Sequence, residues 1–152
     1  MSSARRVPFD ETYLDASYEW LKDPEMARLT MSQALTREEQ RAWYEGLAGR
    51  DDYAIWGIEY EGRPVGVMGL KKIDHADGGA EYFMYLGDTS VWGRGLARWA
   101  SDEIRAEARS RGLTYVWGLI GKHNTRSREV HEHLGFRIVG EQDGRWRVEL
   151  PT

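Results

Sequence analysis

Residues 86–98 read Leu86-Gly87-Asp88-Thr89-Ser90-Val91-Trp92-Gly93-Arg94-Gly95-Leu96-Ala97-Arg98, and their order decides the fold. A strand end, a tight loop with two glycines and the start of a long amphipathic helix follow one another directly. The layout suits an anion: glycine lets the backbone approach a phosphate closely, and free amides at a helix start, aided by the helix dipole, hold a pyrophosphate. Arg94 and Arg98 add positive charge beside it. Taken in isolation, the glycine pair also serves as an ordinary strand-to-helix turn. A dinucleotide fingerprint fits worse, because Arg98 replaces the third glycine and no strand-terminal acid follows at the ribose distance. The Gly-Lys-Ser/Thr phosphate-loop signature is absent.

Working outward, Leu96, Trp99, Ala100, Ile104 and Ala108 trace one helical face that Arg111-Gly112 closes. Upstream, Tyr53 to Tyr60 and Val65 to Leu70 form a hairpin around Glu61-Gly62-Arg63-Pro64. A polar loop, Asp74 to Gly79, then leads into a strand from Ala80 to about Leu86. Near the start, a short apolar strand around Val7 precedes a helix from Glu11 to Leu21, with a further short turn at Met26 and Leu29. Thr36-Arg37-Glu38-Glu39 is a capping box opening a helix to about Ala48. Downstream come a buried strand from Thr114 to Ile120, a short helix from Ser127 to Leu134, and two strands turned at Asp143-Gly144. This order predicts one α/β (α+β) domain over residues 1–152, a mixed, mostly antiparallel sheet with helices on both faces.

Composition narrows the partners. The 152 residues are 41% hydrophobic and 30% charged, so a folded core is expected. A formal net charge of -4 offers no global positive field for nucleic acid or an anionic membrane surface. Cysteine is absent, which removes thiolate nucleophiles and cysteine metal sites. His131 and His133 are two apart on a helix and point to different faces, so no metal pair is expected. Without an apolar leader or a long apolar stretch, a cytoplasmic location is the expectation.

Gly93-Arg94-Gly95-Leu96-Ala97 after a strand resembles the coenzyme A pyrophosphate loop of the GNAT acetyltransferases, Gln/Arg-x-x-Gly-x-Gly/Ala, with Trp92 standing where Gln or Arg is usual. One strand and a loop later, Asn124-Thr125-Arg126-Ser127 and His131-Glu132-His133-Leu134-Gly135-Phe136 resemble the family stretch Asn-x-x-Ser/Ala-x-x-x-Tyr-x-x-Leu-Gly-Phe. The stretch from Tyr18 to Glu25 resembles a subset acting on amino sugars or protein N-termini.

The resemblance implies acetyl-coenzyme A as acyl donor and a small-molecule primary amine as acceptor. An amino-sugar nucleotide is favoured; a peptide N-terminus, a polyamine, or a non-catalytic coenzyme A sensor are the alternatives. It implies that Tyr85, Leu86 and Gly87 flank the pantetheine arm. Trp92, Gly93, Arg94, Gly95, Leu96, Ala97 and Arg98 would form the pyrophosphate loop, with Asn124 and Ser127 near the pantetheine end. Asn124 also reads as a helix-initiating turn residue. Dimers are common among such proteins, so a homodimer fits.

Direct transfer needs an unprotonated amine, an oxyanion donor and a proton for the departing thiolate. His131 falls at the position of the family's tyrosine acid, and reads equally as a partly buried packing histidine. Glu81 is the candidate base, against a plain solvated glutamate. Leu119 stands where some relatives carry a glutamate, and His123 is a second candidate proton carrier. Trp20, Met26, Met31, Trp43 and Tyr44 are either core or the lining of an acceptor pocket.

Overall fold

A computed structural model describes residues 3–30 and 35–152; Met31 lies outside the described residues. Its elements are β1 (Ala4–Pro8), α1 (Glu11–Leu21), α2 (Pro24–Thr30), α3 (Arg37–Gly46), β2 (Ala54–Tyr60), β3 (Arg63–Asp74), β4 (Gly79–Leu86), α4 (Leu96–Ser110), β5 (Tyr115–Gly121), α5 (Thr125–His133), β6 (Arg137–Gln142) and β7 (Arg145–Pro151). The seven strands form one sheet in the order β1-β2-β3-β4-β5-β7-β6. Every neighbouring pair is antiparallel except β4 and β5. Parallel strands need a crossover, and α4 supplies it.

Two boundaries differ from the sequence reading. The expected turn at Met26 is a full helix, α2, in which Met26 is buried. Strand β3 runs on to Asp74, because Lys71 and Asp74 still pair with Glu81 and Gly79 across an irregularity. The capping box is present as expected: Thr36 Oγ1 accepts from the Glu39 amide at 3.1 Å and Glu39 Oε1 from the Thr36 amide at 3.0 Å.

Leu96, Ala100, Ile104 and Ala108 of α4, all within 1% of complete burial, pack on Ile58, Val65, Met68, Leu70 and Val116. Strand alternation divides β4 between the two faces. Tyr82, Met84 and Leu86 pack toward this core, while Phe83 meets Tyr53 and Tyr85 meets Trp20 of α1 on the opposite face.

One relationship positions the site. β4 and β5 pair only at Gly79–Tyr115, Ala80–Val116 and Glu81–Trp117, and then part. From Tyr82 to Leu86, β4 keeps its β3 partners but has none on the β5 side. The sheet opens there into a wedge, and α4 starts at its mouth.

Candidate active site

The loop at the mouth is built by backbone conformation. Gly93 and Gly95 have φ of +80° and +81°, a region that penalises any side chain. Gly95 is the N-cap of α4 and brings no side-chain cap, so the first helical amides await an acceptor. An open groove between the start of α4 and the length of α5 is lined by Gly93, Gly95, Ala97, Arg98, Arg126 and His133, among others. Arg94 is exposed beside it, and Leu96 turns away into the core.

Trp92 does not point an acceptor or a cation at this groove. Its Nε1 donates to the Leu86 carbonyl at 3.0 Å, and its ring carries the Arg126 guanidinium 5.2 Å from the centroid. Arg98 donates through Nη2 to the His133 carbonyl at 3.0 Å, tying α4 to α5. Gly87 lies under the Trp20 indole, where a Cβ would collide with the ring. Asn124 caps α5, its Oδ1 accepting from the Ser127 amide at 3.1 Å, as the turn reading anticipates.

Behind the wedge lies a cavity of about 480 Å³ lined by Phe9, Trp43, Tyr53, Glu81, Tyr82, Phe83, Tyr85, Leu119, Asn124, Ser127, His131 and Arg145, among others. Glu81 and His131, drawn from different elements, therefore share one space. Glu81 is the carboxylate of the described lining. Its Oε1 is buried without a directional hydrogen bond and lies 3.3 Å from Lys72 Nζ, while Oε2 is 3.9 Å from Lys71 Nζ. Ser17 and Gln40, both buried, bond to each other at 3.0 Å, and Ser17 also meets the Tyr85 hydroxyl. Burial raises the pKa of Tyr85, and raises that of Tyr53 to about 12.

His131 is bonded at both nitrogens. Nδ1 lies 2.7 Å from the Ser127 carbonyl, and Nε2 is bonded to the Tyr82 hydroxyl. Burial, the larger cause, pulls its pKa below the ordinary 6.5, and the Ser127 carbonyl opposes this. Burial thus favours the neutral imidazole over the charged ring. His123 is exposed on the loop after β5 and does not line the cavity. Of the residues suggested for an acceptor pocket, Trp43 lines the cavity and Met26 is core. Among the described residues, no group of three or more His, Asp or Glu side chains could hold a metal ion, and no helix is long and apolar enough to cross a membrane.

Sequence reasoning missed Tyr82 and Arg126. Tyr82 hides in an aromatic-rich strand where only the parting of β4 from β5 distinguishes it. Arg126 sits inside the quoted Asn124 stretch, and its signal was the basic residue next to a helix start.

The fold is that of coenzyme A-dependent N-acetyltransferases. Spermidine N-acetyltransferase from Vibrio cholerae, solved with coenzyme A and spermine, superposes with a TM-score of 0.88 over 99% of this chain and 96% of its own, at 13% identity. The ribosomal-protein α-N-acetyltransferase RimL, in complex with coenzyme A, gives 0.80 over 99% and 95% at 18% identity. The chain belongs to the GNAT acetyltransferase family: residues 7–137 match the Acetyltransferase (GNAT) domain. A mycothiol acetyltransferase of Beutenbergia cavernae is 30% identical over 118 residues, covering 76% of this chain. The match spans 37% of that longer protein.

Proposed function

We propose that this chain transfers an acetyl group from acetyl-coenzyme A to a primary amine. The observation that carries the reading is the wedge between β4 and β5. One side of β4 from Tyr82 to Leu86 lacks a strand partner, an uncapped helix start flanks it, and a cavity lies behind it.

An extended pantetheine arm suits the unpartnered edge by backbone pairing, and a pyrophosphate suits the glycine loop and α4 amides. Gly93, Gly95, Ala97, Arg98 and Arg126 would hold the donor, with Leu86 and Asn124 alongside the arm. Acetyl-coenzyme A supplies the activated acyl group. Glu81, on the acceptor side, takes the proton that turns an incoming ammonium into a nucleophilic amine.

The acceptor presents one ammonium on a largely apolar body, as a peptide N-terminus does. Among the described residues the cavity has aromatic walls and one carboxylate, itself flanked by Lys71 and Lys72. A polyamine would bring several cations toward those lysines. An amino-sugar nucleotide, the acceptor favoured by the sequence reading, draws no support from the relatives compared.

Thiol release from acetyl-coenzyme A against peptides, monoamines, amino sugars and polyamines tests this directly. Amine-dependent release, fastest with peptides or apolar monoamines, is the expected result. Binding of the donor without release in any amine would make the chain a sensor.

A further inference from the structure

Tyr82 is the polar side chain at the base of the wedge that the function above leaves without a task. Its ring occupies space left by Gly118, where a Cβ would lie 3.1 Å from Tyr82 Cε1, and it stacks on Phe136 with centroids 5.0 Å apart. Its hydroxyl bonds Nε2 of His131. The tautomer follows from the other ring nitrogen. Nδ1 faces the Ser127 carbonyl at 2.7 Å, and a carbonyl only accepts, so Nδ1 carries the proton. Nε2 is then the lone-pair nitrogen, and Tyr82 donates to it. In this state His131 has no Nε2 proton to give into the wedge.

The groups facing the imidazole are Tyr82 from β4, Ser127 from its own helix, and Phe136 beyond that helix. Burial and the Ser127 carbonyl account for its shifted pKa, and no charged side chain contributes.

We infer that Tyr82 and His131 form one proton relay between the acceptor nitrogen and the thioester sulfur, with Tyr82 Oη meeting the reacting atoms and His131 acting through it. This rests on the acetyl-transfer function proposed above. As the amine nitrogen forms its bond to the thioester carbonyl carbon, it carries one surplus proton. That proton passes to Tyr82 Oη while the hydroxyl proton of Tyr82 passes to His131 Nε2. The C–S bond then breaks with its electron pair on sulfur. His131 returns its Nε2 proton through Tyr82 to that sulfur, so amide and thiol leave and both side chains regain their starting states. Tyr82 never persists as a phenolate, consistent with the burial that raises its pKa. Glu81 keeps its separate proton, the one removed before attack.

The test compares the wild type with Tyr82→Phe, His131→Gln and the double variant. The readouts are kcat against pH, coenzyme A affinity, and heteronuclear NMR of the imidazole nitrogens with and without coenzyme A. Phe at 82 keeps the stacking on Phe136, so the fold survives. Each single variant should lose about 100-fold in kcat at unchanged coenzyme A affinity, and the double variant should lose no more than the worse single, as for residues acting as a unit. The His131 contribution to the acid limb of the wild-type profile should be lost in both singles, leaving the limb set by Glu81 and the acceptor ammonium, and NMR should show Nδ1 protonated and Nε2 bare. A protonated Nε2 at neutral pH, multiplying losses, or an unchanged rate in Tyr82→Phe would overturn the relay alone. Absence of amine-dependent turnover in the wild type would overturn the transfer function and the relay together.

Discussion

The indole of Trp92 donates its N–H to the carbonyl of Leu86, 3.0 Å away, and so fastens the glycine loop to the last residue of β4. The same ring is the platform for Arg126. A position where a polar side chain is usual is here a brace between the end of β4 and the start of α5. Trp92→Phe keeps the platform and loses the hydrogen bond, which is worth about 1 kcal/mol. Trp92→Leu loses both, and cation–π contacts contribute about 0.5–1 kcal/mol at exposed sites. Coenzyme A titrations should therefore rank wild type, then Phe, then Leu. Equal affinities would remove Arg126 from the donor site.

The left-handed conformation of Gly95 penalises any side chain placed there. Gly95→Val should cost about 1–2 kcal/mol of stability, or re-aim the first turn of α4. Donor affinity should fall more than the melting temperature predicts, because the turn also presents the amides. Differential scanning fluorimetry with and without acetyl-coenzyme A separates the two effects.

Gln40 and Ser17 are buried polar groups that satisfy one another, and Ser17 also meets the Tyr85 hydroxyl. Gln40→Leu strips one member and leaves its partners short of a bond. Such a loss costs about 1–3 kcal/mol. Denaturant unfolding should register it as a lower midpoint at unchanged slope.

Folding stability should respond to His131 in acid. Its folded pKa lies below the ordinary 6.5, because burial disfavours the charged ring. The folded state therefore binds fewer protons than the unfolded state between the two values. Its contribution is complete above pH 6.5 and declines as pH falls from there toward the folded value. Urea melts of wild type and His131→Gln across that window should converge at lower pH, the wild type losing more.

Glu81→Gln removes the carboxylate but keeps its size. Acetyl transfer at neutral pH should drop by about 100-fold and recover partly as pH rises and the free amine becomes abundant. Rates independent of the substitution at every pH would take the base from Glu81.

Much of this fold is legible in the chain because periodicity and punctuation agree. The capping box at Thr36, the four-residue spacing from Leu96 to Ala108 and the Asp143-Gly144 turn each speak for one local structure. The glycine loop is legible for the same reason: positive φ leaves a compositional mark. What stays hidden is set by pairing between distant segments. Nothing in the alternation of β4 tells that β5 leaves it after Glu81, and that departure gives Tyr82 its place. The tautomer of His131 hangs on the Ser127 carbonyl one helical turn back, a backbone atom that every residue owns. Trp92 shows the converse, a side chain whose departure from a family pattern is plain but whose partner, a carbonyl six residues earlier, is visible only in three dimensions.

The sheet stops short of closing between its two halves, which share three residue pairs where other neighbours share five or more. On the proposed function, the missing stretch of strand arrives as a diffusing metabolite. Supply of that metabolite and persistence of the native state are then thermodynamically linked, since whatever binds only the folded form shifts unfolding by mass action. A cell rich in acetyl donor would hold a longer-lived enzyme, and starvation would both idle the protein and shorten its survival against proteases.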